Sequence, residues 1–157
     1  MTPSGPQRAM RTQIGISNAE QREHNMKSSA DSACPCGQGA SYEHCCGRWH
    51  QGPQRLAAPD AETLMRSRYS AFVKEEWEYL LDTWHASTRP ERLEPHPSGL
   101  QWLGLQVRRQ RLLAADRAEV EFVARSRWQG RGRRHHESSR FVYEEGRWWY
   151  VDGDILP

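Results

Sequence analysis

All four cysteines of the chain lie in one short run, Cys34-Pro-Cys36-Gly-Gln-Gly-Ala-Ser-Tyr-Glu-His-Cys45-Cys46. A CxC pair and an adjacent CC pair flank a Gly-punctuated turn. Four thiolates complete a tetrahedral zinc shell at Zn–S distances of about 2.3 Å and leave no position open for catalysis. Gly37 and Gly39 allow the positive-φ turns that bend a chain around an ion, and Pro35 fixes φ between the first two ligands. His44 and His50 are spare donors that could each replace a sulfur. A disulfide framework is the competing reading, with three connectivities in principle. Pairing Cys34 with Cys36, or Cys45 with Cys46, would close small strained rings, so only the two crossed pairings compete. Disulfides belong to oxidising compartments, and the first residues show no apolar signal-peptide core. The expectation is one metal ion on Cys34, Cys36, Cys45 and Cys46 in a cytoplasmic protein. Zinc is the expected ion, and iron, which also accepts four thiolates, is the alternative that the spacing leaves open.

Residues 1–32 are rich in Pro, Gly, Ser, Asn, Gln and charge, with Ile14 and Ile16 the only branched aliphatics, and read as a disordered leader. Met10 and Met26 lie inside it as alternative starts to Met1. Residues 33–50 form the knuckle, and 51–59 a polar, proline-flanked linker across which few contacts are expected. That division predicts that knuckle and domain unfold separately. Hydrophobic residues are 36% of the 157 and mean hydropathy is −0.93, low for a globular chain. Seven tryptophans, all from Trp49 onward, supply an aromatic-rich core for the remainder.

From Asp60 the hydrophobic period is helical. Asp60 is a good N-cap, and Leu64, Met65, Arg68, Ala71 and Phe72 share a face widened by Tyr69 and Val73. A second helix is expected over about 75–84, with Trp77, Leu80, Leu81 and Trp84 at i, i+3, i+4 and i+7. Pro90, Pro95 and Pro97 keep the next stretch irregular. The pattern then alternates: strands are expected over 102–109, 119–128, 137–143 and 147–152. Gln129-Gly130-Arg131-Gly132 and Glu145-Gly146 read as hairpin turns. Val120, Phe122 and Ala124 face one way, and Glu119, Glu121, Val123, Arg125 and Arg127 the other. Helices followed by an antiparallel meander define an α+β fold.

The cysteine run resembles the SEC-C motif, found at the C-terminal tail of the preprotein-translocase motor SecA and in several small bacterial proteins. Its pattern is CxC, eight residues, then C followed by C or H. Cys34, Cys36, Cys45 and Cys46 match it, with Gln38 where Ser is commoner. Further on, LMRSRYSAFV (64–73), LLDTWHASTRP (80–90), WLGL (102–105) and HESSRFVYEEGRWWYVDG (136–153) resemble the YchJ-type family. The resemblance implies a SEC-C knuckle followed, over residues 60–157, by a cone-shaped nuclear-transport-factor-2-like domain with helices packed on a curved sheet. It also implies, by analogy, a protein partner for the knuckle in the export or ribosome-associated machinery.

A cone encloses a pocket, for which the candidate residues are Arg66, Tyr69, His85, Trp102, Glu137, Ser139, Tyr150 and Asp152. In an enzyme, His85 with Glu137 or Asp152 would act as acid and base on a small substrate. In a binding module those carboxylates would pair with Arg66, Arg68 or Arg140 and hold the sheet to the helices, and His85 would serve a helix C-terminus. The module is the expected reading, with Arg66 or Arg68 as the partner of Glu137 or Asp152. Trp148-Trp149-Tyr150 read as core with a packing patch. Nine arginines between Arg108 and Arg134, in a chain whose only lysines are Lys27 and Lys74, would form a basic face suited to RNA if they aligned across strands.

Overall fold

The structure is a computed structural model and describes residues 32–157. The expected leader, with its alternative starts, lies outside the described residues apart from Ser32. Tyr42–His44 make a single 3-10 turn, and α1 (Gly47–His50) follows directly. A Cβ on Gly47 would stand 2.7 Å from the Tyr42 carbonyl oxygen, so only glycine lets the two turns pack this closely.

Helix α2 (Ala61–Lys74) opens as its sequence requires: the Asp60 carboxylate accepts the Thr63 amide at 2.7 Å. It ends at Glu75, whose φ of 59° is left-handed. The Glu76 amide then closes back on the Ala71 carbonyl at 2.8 Å. This left-handed cap shortens the second helix to α3 (Trp77–Asp82), against the expected 75–84. Tyr79 and Leu80 are its buried residues.

Four strands follow as a simple meander in the order β1 (Gln101–Ala114), β2 (Arg117–Trp128), β3 (Arg131–Glu144) and β4 (Arg147–Ile155). All three pairs are antiparallel neighbours in sequence. The β2–β3 turn is only Gln129-Gly130 (φ 51° and 74°) and the β3–β4 turn Glu145-Gly146 (φ 53° and 79°). Both have the two positive φ values that match strand twist. Arg131 and Gly132, expected in a loop, are strand residues facing Trp128 and Arg127. The edge of β4 is extended by the chain after α3: the Tyr150 amide donates to the Thr83 carbonyl at 2.9 Å, and the His85 amide to the Tyr150 carbonyl at 2.7 Å.

The sheet wraps α2, which touches β1, β2 and β4. Val120, Phe122 and Ala124 are buried on its inner face with Phe141 and Trp148, against Leu64, Met65 and Tyr69 of the helix. Val123 is also buried although it lies on the other face, between Gln106 and His136 of the neighbouring strands. Register shifts in β1 and at Arg140/Phe141 interrupt the regular ladders. Among the described residues no helix is long and apolar enough to cross a membrane.

Candidate metal centre and the cavity behind the helix

The cysteine sulfurs converge. One Sγ from each of Cys34, Cys36, Cys45 and Cys46 lies within 4.8 Å of the others, and all four residues are buried. A tetrahedral ion with bonds of about 2.3 Å needs sulfur–sulfur edges of about 3.8 Å, so the set fits one thiolate-bound ion with little adjustment. All four are free thiols. Gly37 (φ 82°) and Gly39 (φ 89°) carry the turn between the two pairs. The Cys34 sulfur is hydrogen-bonded by the Cys36, Cys46 and Ser70 side chains, which hold it far below the usual thiol range. Burial pushes Cys45 up to about 12. The hydrogen bond to Cys34, followed by one to Cys36, raises Cys46 further.

Neither histidine joins the cluster. His44 is exposed and bonded to Ser41 through Nδ1 at 2.8 Å. Buried His50 donates Nε2–H to the Ser67 carbonyl at 2.7 Å and accepts the Tyr42 hydroxyl at Nδ1, so both ring nitrogens are occupied. Burial holds His50 neutral by lowering its pKa.

These contacts overturn the expectation that little crosses the 52–59 segment. The knuckle is seated on α2: Arg66 Nη1 donates to the Cys36 carbonyl at 2.9 Å, Ser70 meets Cys34 at 3.5 Å, and His50 bonds Ser67. Lys74 Nζ lies 4.7 Å above the Tyr42 ring. Trp49 belongs to the same core as the sheet. Ser67, Ser70 and Ala71 are fully buried here. Their small side chains let the knuckle approach the helix backbone.

On the opposite side of α2, a cavity of about 570 Å³ opens between the helix and the inner sheet face. Five of the expected pocket residues line it: Tyr69, Trp102, Glu137, Ser139 and Tyr150. The other three do not. Arg66 points to the knuckle and to Glu62 instead. His85 lies at the β4 edge, bonded to Glu144 at 2.7 Å and to Ser87 at 2.6 Å. Asp152 pairs across the outer face with Arg140 at 2.6 Å, which also holds Asp154. The register shift beside Phe141 explains Asp152. Phe141 opposes Tyr150 but Arg140 opposes Asp152, so Val151 is an extra residue and Asp152 leaves the face Tyr150 occupies.

The expected ion pair from Arg66 or Arg68 to Glu137 or Asp152 is therefore corrected. Glu137 is engaged by the Ser139 hydroxyl and by His135 Nε2 at 3.5 Å. Although burial raises it, these bonds and the positive field of Arg68 leave its carboxyl below the usual range. Arg68 is 5% exposed. Its Nη1 donates to the Leu80 carbonyl at 2.8 Å and to Thr83 Oγ1 at 2.6 Å. The guanidinium lies against the edge-to-face ring pair of Tyr150 and Trp84, at 4.4 and 5.0 Å. Burial lowers it to about 10.

Cavity residues that sequence reasoning missed are Arg68 as a lining group, His96, Arg133 and His135. His96 comes from the proline-rich stretch and reaches the Phe72 carbonyl at 2.8 Å through Nε2–H. Its position between Pro95 and Pro97 was the available signal. The arginine run is divided by the register. Arg111 is bonded to Glu119 at 3.0 Å and Arg109 opposes Glu121, whereas Arg125 opposes Arg134.

Residues 60–153 match the family described as "YchJ, middle NTF2-like domain". The chain belongs to this family. A UPF0225 protein of Methylibium petroleiphilum is 64% identical over 124 residues, covering 79% of this chain and 89% of that one. A UPF0225 protein of Bordetella parapertussis is 58% identical over 127 residues, covering 81% and 96%. Two solved structures extend the likeness to the knuckle. One, in solution, is a SEC-C motif containing protein from Rhodopseudomonas palustris, with TM-score 0.65 and 32% identity over 79% of this chain and 98% of that one. The other is a crystal structure of a SEC-C motif containing protein from Psychrobacter arcticus, with TM-score 0.68 and 28% identity over 83% and 86%. The α+β, nuclear-transport-factor-2-like fold with a SEC-C knuckle at its N-terminal side is thus the fold of this chain.

Proposed function

We propose that this YchJ-family chain is a zinc-carrying accessory protein of the cytoplasm, in which the knuckle both braces the domain and presents a surface to a protein partner. The observation that carries the reading is the closed set of four buried sulfurs within 4.8 Å of one another. A shell of four thiolates is filled by the protein, so the ion cross-links the chain rather than activating a substrate. Cys34, Cys36, Cys45 and Cys46 hold it, and Ser70 and Arg66 steady the loop that carries the first pair. With its inner side spent on α2, the knuckle offers Gln38, Glu43, His44 and Arg48 outward. That polar, mixed-charge face suits a protein partner. The SEC-C likeness points to export or ribosome-associated machinery as its class.

Elemental analysis of the purified protein tests the metal. About one zinc per chain is expected, with loss in Cys34→Ser and Cys45→Ser. A metal-free native protein overturns the reading. Pull-down with the wild type and with a Glu43→Ala/His44→Ala/Arg48→Ala variant tests the face. A partner retained equally by both places its contact elsewhere.

A further inference from the structure

The cavity carries a cation, Arg68, that Glu137 meets only through space and that no carboxylate of the described residues pairs with directly. Among the described residues no carboxylate lies within 4.0 Å of the Arg68 guanidinium. Its Nη1 is engaged by Leu80 and Thr83, but among the described residues Nε and Nη2 have no hydrogen-bond acceptor and are not sealed off as buried atoms. Arg68 lines the cavity wall, and these two are its donors left unspent. A charge held this deep in the fold is retained where something offsets its lost hydration.

The surroundings define what could do so. The edge-to-face pair Trp84 and Tyr150, 5.1 Å apart at their centroids, holds the guanidinium against both rings at 5.0 and 4.4 Å. Phe72, Trp102, Phe122 and Phe141 supply apolar, ring-shaped walls. Arg133 and Arg134 also line the cavity, so three arginines there face one carboxylate, Glu137. That carboxylate is already occupied by Ser139 and His135. A volume of about 570 Å³ is that of a site for a small organic molecule.

We infer that the cavity binds a small aromatic carboxylate, its rings against the aromatic walls and its carboxylate on the free Nε and Nη2 of Arg68. A guanidinium edge of this kind takes a carboxylate through two parallel N–H···O bonds. Arg133 and Arg134 draw the anion in and are screened by salt. The site is separate from the metal centre, which lies on the other side of α2. It requires neither catalysis nor a partner protein.

The test uses the zinc-loaded full chain and two probes of nearly the same shape, 1-naphthoate and the neutral 1-naphthalenemethanol. Calorimetry gives the affinities, and proton–nitrogen correlation spectra report the Trp84 and Trp102 indole N–H groups. Naphthoate is expected to bind at least tenfold tighter than the alcohol and to shift both indole signals. Arg68→Gln should abolish the difference between the probes. Should that variant fail to fold, Glu137→Gln decides: removing the one like charge in the cavity should tighten naphthoate severalfold and leave the alcohol unchanged. Equal affinities for the two probes in the wild type, no naphthoate binding at millimolar concentration, or an unchanged naphthoate affinity in Glu137→Gln would each overturn the inference.

Discussion

Removing the metal should destabilise the whole domain, because the knuckle is seated on the central helix. Three contacts set the magnitude. The charged Arg66 donor bonded to the Cys36 carbonyl at 2.9 Å contributes about 1.5–3 kcal/mol. The buried bond from His50 to the Ser67 carbonyl contributes about 1 kcal/mol. Trp49, 8% exposed and packed in the main core, contributes about 1.5–3 kcal/mol through burial. Together they amount to about 4–7 kcal/mol, a large share of the 5–15 kcal/mol typical of a domain. At about 3 °C per kcal/mol for a domain of this size, Tm should fall by roughly 12–20 °C on chelation. Calorimetry and near-ultraviolet circular dichroism of the tryptophans, with and without a zinc chelator and in Cys34→Ser, measure this. A chelated protein melting within two or three degrees of the loaded one would show that the seat contributes nothing and that the knuckle is an independent unit.

Asp60→Ala removes the cap on the Thr63 amide and should cost about 1 kcal/mol, read as a lower urea midpoint at constant slope. In Gly153→Ala the new Cβ would stand 2.6 Å from the Glu137 carboxyl carbon. The carboxylate should be displaced from Ser139 at a cost of about 1–3 kcal/mol, and suppression of that loss by Glu137→Ala in the double mutant is the check. Glu137 has a folded pKa below its unfolded one. Its charge therefore contributes stability above the unfolded value of about 4.3, and that contribution is lost as pH falls through the folded value. Wild type should exceed Glu137→Gln at pH 6 and converge on it as pH falls through the lowered folded value. A constant gap would refute the assignment.

What the sequence made legible was periodic or concentrated. Four cysteines in one run announced the knuckle, Asp60 the start of α2, Glu145-Gly146 the last turn, and Gln129-Gly130-Arg131-Gly132 the place of the other, two residues too long. The alternation of Val120, Phe122 and Ala124 gave the inner sheet face. Features set by single-residue irregularities did not show. The extra Val151 turns Asp152 outward while Tyr150 stays inside, and strict alternation places both on one face. The left-handed Glu75 divides a stretch whose composition favours continuous helix. Ser67 and Ser70 look like solvent positions on α2, because small polar residues carry no hydrophobic signal, yet they are where the knuckle lands. Arg68 fits the apolar stripe by spacing but enters the core as a charge held against an edge-to-face pair of rings.

The seating of the knuckle on α2 also bears on the order in which the protein is built. Every polar contact that anchors the knuckle to the helix ends on residues 66–74, which follow Cys46 closely in the chain, whereas the strands begin only at Gln101. During N-to-C synthesis the four ligands and their support emerge together, before any strand exists. Metal capture can then fix α2 as a template. Each later strand of the meander has only to pair with the one just made. The ion would thus guard four exposed thiols from oxidation while the chain is still growing, and hand the sheet a preformed surface to close on.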